Sequence, residues 1–232
     1  MRIQRSVQIQ LVLFCVALGY SLLHQNRMPD IVPTHWDASG KVDGYGSKWI
    51  NLLVMPGVIA FMALLTAVLP KLSPKKFEIA PFESAYSTIM VILCGMMLAI
   101  HLVIVQTTLG ASWDISKVMM GVMFVSFIFV GNLLGKIEPN FYMGIRTPWT
   151  LADERVWRTT HRSAAKLWVF GSAAGALMVL LGFPFWLYLS YFMVICLWPV
   201  VQSYVIYRRL NGGGGCPGGF LVVACFERLS SA

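Results

Sequence analysis

Apolar runs of membrane length alternate with short polar segments along most of the chain. Six runs, at residues 7–23, 49–69, 85–107, 118–137, 164–183 and 185–207, are predicted helices. A hydrocarbon core about 30 Å thick takes about 20 helical residues to cross, so each run is a candidate span. Only Gly182-Phe183-Pro184-Phe185 separates the last two, which predicts an antiparallel helical hairpin. The first run follows Met1-Arg2-Ile3-Gln4-Arg5 and ends without a small-residue cleavage site. It is expected to be a retained span rather than a signal peptide. Trp186, Tyr188, Tyr191 and Trp198 suit membrane interfaces, some of them lying deeper. Gly131 with Gly135, and Gly171 with Gly175, each clear one helix face for close approach. Packing within the chain is the expected use, with a dimer contact as the alternative.

Composition agrees with this pattern. The 232 residues are 57% hydrophobic and only 12% charged, with a mean hydropathy of +0.70. A soluble domain carries about 25% charged residues, so little of this chain is left for a separate soluble domain. The net charge of +8 would suggest nucleic acid in a soluble protein. Here the placement of each cation matters more, because Lys and Arg are retained on the cytoplasmic side, and no direct nucleic-acid partner is expected. With both termini inside, fourteen of the 18 Lys and Arg fall on the cytoplasmic side and four outside. The expected fold is therefore an all-α polytopic membrane protein with six transmembrane helices and both termini cytoplasmic. Residues 1–210 are expected to form one membrane domain. Residues 211–232, opening on Gly212 to Gly215, form a Gly-rich tail expected to be disordered or aberrant.

Two polar segments stand out. The external loop, 25–48, carries prolines in its first half and turn signals at Asp37…Gly40 and Asp43-Gly44, so it is expected to be compact and folded. The cytoplasmic segment, 138–163, holds Gly144-Ile145-Arg146-Thr147-Pro148-Trp149-Thr150. Thr150 with Asp153 three residues on reads as a capping box, after which the helix is expected to run from Leu151 straight into the fifth span. On that helix Arg155, Arg158, Arg162 and Lys166 share one stripe, and Glu154, Trp157 and His161 an adjacent one. Glu154 and Arg158 form an i,i+4 pair in the favourable order. The stripe is either a headgroup-facing flank or a docking face for an acidic partner or anionic ligand. Arg146 is the best single candidate for an ion pair.

Fewer features point to chemistry. His101 is the ionisable side chain near the middle of a span, and it reads either as a functional group or as a neutral imidazole satisfied by a neighbouring helix. His35 with Asp30, Asp37 and Asp43 matches no metal-ligand spacing, so no metal is expected. Cys15, Cys94, Cys196, Cys216 and Cys225 show no CxxC pair. No P-loop, GxSxG, HExxH or Rossmann fingerprint occurs, so no enzyme activity and no cofactor are expected.

Two motif blocks carry a resemblance. The first is Pro29-Asp30-x-Val32-Pro33-Thr34-His35-Trp36-Asp37-x-x-Gly40-x-x-Asp43-Gly44-Tyr45-Gly46-Ser47-Lys48. The second is Asn140-x-x-x-Gly144-Ile145-Arg146-Thr147-Pro148-Trp149-Thr150-Leu151, followed by Trp157, Thr160, His161 and Arg162. Together they resemble the SdpI family of bacterial membrane immunity proteins, over about residues 5–210. The resemblance implies a six-helix protein that protects a bacterium from a secreted, membrane-active peptide toxin. It also implies a signalling role, holding a transcriptional repressor at the membrane. Pro33, His35, Trp36, Asp37, Gly40, Asp43, Gly44 and Tyr45 would then face the toxin. Asn140, Gly144, Arg146, Thr147, Pro148, Trp149, Trp157, Arg158, His161 and Arg162 would form a cytoplasmic docking or structural motif. Two alternatives stand beside this reading: a transporter or exporter of a small molecule or lipid, using His101, and a sensor without protective activity.

Overall fold

The computed structural model describes residues 2–37, 40–75 and 78–212. Among the described residues there are six long helices: α1 (Ile3–His24), α2 (Lys48–Leu72), α3 (Glu83–Thr108), α4 (Ile115–Leu134), α6 (Glu154–Leu180) and α7 (Phe185–Asn211). All six are long and apolar enough to cross a membrane. A short helix, α5 (Pro148–Ala152), precedes α6. Strands β1 (Ile31–Trp36) and β2 (Val42–Ser47) form an antiparallel hairpin between α1 and α2. The protein is an all-α polytopic membrane protein with one small two-stranded sheet.

Local chemistry sets the helix starts. Ser47, Asp114 and Asp153 cap α2, α4 and α6, each accepting a first-turn amide hydrogen bond on its side chain. Pro56 and Pro70 lie inside α2 and Pro199 inside α7. Membrane helices tolerate such prolines because neighbouring groups satisfy the freed carbonyls. The turn between α6 and α7 closes on Gly182, whose φ of +75° only glycine adopts without strain.

The helices fall into two groups of three. α1, α2 and α3 pack on one another; α6 packs on both α4 and α7; the contact of α3 with α4 joins the halves. Tyr86, Ile89 and Met90 of α3 meet Val130 and Leu134 of α4 and Trp157 of α6 in the largest buried cluster. A second cluster, around Phe124, Tyr188 and Phe192, lies within the second half. The outer surface stays apolar, with Phe61, Phe170, Leu180 and Leu197 exposed, as lipid contact requires. Both small-residue pairs pack within the chain. A Cβ at Gly131 would come to 2.8 Å from Trp168 Cβ, and one at Gly175 would overlap the Phe124 ring.

One expectation needs correction. Thr150 does not start the fifth span's helix. Thr147 caps α5, with Thr150 as its capping-box partner, and the chain then leaves helical geometry at Asp153 (φ −137°, ψ 118°) before α6 begins. Tyr188 lies in the first turn of α7, where it is buried against the bundle. The Gly-rich tail, from Gly213 on, lies outside the described residues.

Candidate functional site

The two motif blocks occupy opposite ends of the bundle. At the hairpin end, β1 and β2 pair with Pro33 opposite Tyr45 and His35 opposite Gly44, with register shifts on both sides of His35. Lys48 closes the base, its ammonium 2.9 Å from the Asp30 carboxylate and its amide donating to the Asp30 carbonyl at 3.0 Å. At the tip, the Asp37 amide donates to the Lys41 carbonyl, and the Lys41 amide donates back to the Asp37 carboxylate at 3.0 Å. Gly40 completes the turn at φ +81°. Gly44 is required by space: a Cβ there would lie 2.9 Å from His35 Cβ.

The hairpin has a fixed face and a displayed face. Val32 is fully buried with Met28, Leu52 and Val105. The Asn51 amide donates to the Pro33 carbonyl at 2.8 Å and to Thr108 Oγ1 at 3.1 Å, tying β1 to α2 and α3. On the other face Ile31 and Tyr45 are about two-thirds exposed. His35 Nδ1 lies 2.5 Å from Asp43 Oδ1, with both side chains open to solvent. Trp36 is half-buried. The four groups first considered for a metal do not converge. Asp30 serves the base, Asp37 the tip, and only His35 and Asp43 meet. Among the described residues no three His, Cys, Asp or Glu groups come together as metal ligands.

At the other end the motif residues turn inward. Asn140 is fully buried and uses its whole side-chain amide. Its oxygen accepts from the Tyr142 and Met143 amides, and its nitrogen donates to the Glu138 and Met143 carbonyls. Gly144 follows at φ +110°, where a Cβ would overlap His161. His161 is buried with both nitrogens engaged. Nδ1 donates to the Trp157 carbonyl at 2.9 Å, and Nε2 accepts from the Ile145 amide at 3.0 Å. An amide donating to Nε2 requires its lone pair, so the ring is a neutral Nδ1–H tautomer. Trp157 stacks on that ring at 4.1 Å and donates to the Ile137 carbonyl at 2.7 Å.

The same segment is also fastened to α7. Trp149 Nε1 donates to Ser203 Oγ at 2.5 Å, and Thr147 Oγ1 lies 3.1 Å from the same oxygen. Thr150 Oγ1 accepts from the Thr147 amide. Pro148 is exposed at the first position of α5, where a missing N–H costs nothing. Arg146 is exposed and makes no ion pair among the described residues. That role falls to Arg158, which reaches Glu154 at 2.7 Å and Glu138 at 3.3 Å beside an open cavity of about 670 Å³. Glu154 points outward with Arg158 rather than inward with Trp157 and His161. Arg155 binds Asp153 at 2.8 Å, and this hydrogen bond holds the Asp153 carboxyl at about 2, below its ordinary range. Arg162 is exposed.

His101 lies between these ends, nearer the hairpin, and is fully buried. Its Nε2 is 3.0 Å from Ser21 Oγ and 3.2 Å from the Ala17 carbonyl. The Ser21 hydroxyl is 2.6 Å from the Leu52 carbonyl and gives its proton there, so Nε2 is the donor. Nδ1 has no partner among the described residues. Tyr20 sits edge-on to the His101 ring and is also bonded to Gln106. Asn51, Ser21 and Ser203 were missed by sequence reasoning. Each is a small polar residue in an apolar run, which is the signal that could have flagged them.

These features define an integral membrane bundle of two three-helix halves, with a displayed hairpin at one end and an internally bonded loop at the other. The SdpI/YfhL protein family matches residues 136–205, and the "Domain of unknown function (DUF1648)" family matches residues 12–60. "Immunity protein SdpI" of Bacillus subtilis (strain 168) is 26% identical over 209 residues, covering 88% of this chain and 97% of that protein. An "Uncharacterized protein" of Archaeoglobus fulgidus is 30% identical over 66 residues, covering 28% of this chain and 36% of that protein. No solved structure matches. Residues 136–205 thus carry an SdpI/YfhL family match, and the similarity to an immunity protein runs along nearly the whole chain.

Proposed function

We propose that this protein gives its bacterial host resistance to a secreted, membrane-active peptide toxin, which it meets through the displayed face of the β1–β2 hairpin. The observation that carries this reading is the similarity to an immunity protein along nearly the full length of both chains. The hairpin supports it physically. Asn51 and Val32 hold its backbone rigid, while Ile31, His35, Asp43 and Tyr45 present a mixed apolar and polar surface at the water boundary. Rigid display of an exposed aromatic beside polar groups lowers the ordering cost of binding a peptide. The cation count supports a hairpin outside and residues 138–163 inside, the orientation this role needs. No group of catalytic type is used.

The test is expression of the full chain in a toxin-sensitive bacterium, following membrane potential with a voltage-sensitive dye after adding the cognate peptide. Maintained potential is the expected result. Depolarisation equal to that of cells without the protein, at normal membrane expression, overturns the reading. Holding a repressor at the membrane is a second role, assigned to the exposed α6 stripe. Recovery of a cytoplasmic regulator with the wild type, but not with a variant neutral at Arg155, Arg158 and Arg162, is its expected signature.

A further inference from the structure

The four cations of the α6 stripe are not equivalent. Arg155 is bonded to Asp153, and Arg158 to Glu138 and Glu154. Arg162 and Lys166, one and two turns beyond Arg158, are exposed and make no ion pair among the described residues. Lys136, just past the end of α4, is likewise exposed and unpaired among the described residues. It adjoins Gly135, whose Cβ position lies 3.8 Å from Arg162 Cα and Cγ, so Lys136 and Arg162 are neighbours across the α4–α6 contact.

Depth separates the paired cations from the unpaired ones. α4 has 20 residues, which at the helical rise is about 30 Å, the thickness of the hydrocarbon core. Its ends therefore mark the two lipid boundaries, and Lys136 with Arg162 lies at one of them. α6 gives the same answer. The cavity shared by Asp114 and Gly182 puts the far end of α6 level with the start of α4. Counting back from Leu180, Lys166 is about 21 Å away, Arg162 about 27 Å, Arg158 about 33 Å and Arg155 about 38 Å. The two neutralised arginines thus lie about 3 Å and about 8 Å outside the hydrocarbon core, Arg155 at the outer edge of the headgroup layer. Of the uncompensated cations, Lys136 and Arg162 lie at the hydrocarbon boundary and Lys166 about 9 Å inside it, from where its stem extends toward the headgroups.

We propose that Lys136, Arg162 and Lys166 form a binding site for the phosphate headgroup of an anionic phospholipid. Anionic headgroups attract cations held near this boundary, and three cations with no carboxylate bonded to any of them favour a net-negative headgroup over a zwitterionic one. Arginine suits the site because its planar fork bonds phosphate in a bidentate manner. The site is independent of toxin resistance and of which leaflet it faces.

The test uses the full chain in detergent, titrated with phosphatidylglycerol, phosphatidylethanolamine or inorganic phosphate and read by native mass spectrometry. The combined variant Lys136→Gln, Arg162→Gln, Lys166→Gln is expected to bind phosphatidylglycerol about a hundredfold more weakly, with phosphatidylethanolamine unchanged. Arg155→Gln with Arg158→Gln is expected to retain phosphatidylglycerol as the wild type does, and Arg162→Lys to recover part of the loss. Should the triple variant fail to fold, Arg162→Gln and Lys166→Gln singly are each expected to lose about fivefold. Unchanged retention in these variants, equal retention of phosphatidylethanolamine by the wild type, or equal loss in the Arg155/Arg158 control overturns the site. Phosphate binding at the same residues without lipid preference would make the ligand a free anion and overturn the headgroup assignment.

Discussion

The hairpin and the 138–153 loop carry similar densities of polar and aromatic motif residues, yet they use them in opposite ways. In the loop and the α6 turns beneath it, Asn140, Thr147, Thr150, Trp157 and His161 are buried and bonded to the backbone or to each other. In the hairpin, His35, Asp43 and Tyr45 stay open, while the anchoring comes from Asn51 and Val32. A motif of polar residues is therefore ambiguous until its hydrogen bonds are traced. The loop's residues build a fixed connection between α4, α6 and α7, whereas the hairpin's residues are held by others and displayed. Substitutions should separate the two ends: stability should fail at the loop, and interaction at the hairpin.

The largest effect is expected at Gly144. Alanine there must adopt φ near +110° and also displace His161, which breaks the Ile145 bond and unstacks Trp157. Strain plus an unsatisfied buried group should cost about 3 kcal/mol or more. Gly144→Ala is expected to unfold at markedly lower temperature in detergent and to accumulate poorly in the membrane. Asn140→Ala should behave similarly, losing about 2 kcal/mol, because four backbone groups lose their partner at once. A thermal melt matching the wild type would show that the loop is not the fixed connection described here.

At the hairpin the order reverses. His35→Ala and Tyr45→Ala remove exposed side chains, so their stability should stay within about 0.5 kcal/mol of wild type. Protection against the toxin should nevertheless fall by tenfold or more in the concentration tolerated, an order-of-magnitude expectation for losing an exposed aromatic anchor. Asn51→Leu sharpens the point. It leaves the displayed side chains in place but releases Pro33 and Thr108, so it should lose about 1 kcal/mol and part of the protection. Full protection by Tyr45→Ala at normal expression would move the toxin contact away from this face.

The contrast also explains what was legible in the sequence. Spans were readable to within a few residues at most ends, because lipid demands long apolar runs wherever the helix sits. The α6 start was not. Thr147, Thr150 and Asp153 can each cap a helix, and the choice fell to Ser203 on α7, which binds Thr147 and Trp149 and sets α5 apart. The strands were seen only as a folded loop. Their pairing rests on Asn51, eighteen residues from Pro33, and on a bulge at His35 rather than on clean alternation. Arg146 drew notice because glycine and proline frame it, but framing is local while an ion pair needs an acid in space. Likewise, nothing near His101 in the chain announces Ser21, eighty residues away.

The smallest effect tests whether the loop end depends on charge as well as on buried hydrogen bonds. Asp153 caps α6 and binds Arg155, and its carboxyl sits at about 2, below the ordinary 3.8. A carboxyl with a depressed folded-state value contributes stability that is fully present above about pH 4 and lost as pH falls toward 2. Asn can cap a helix without carrying charge, so Asp153→Asn isolates the ionic part. The variant should lose no more than about 1 kcal/mol at pH 7, since the Arg155 partner is exposed. Its stability in detergent should then change less than the wild type's between pH 4 and pH 2, so that the two curves converge. Parallel curves over that range would mean that the Asp153–Arg155 pair only decorates the start of α6, and that the loop end is held by its buried polar network alone.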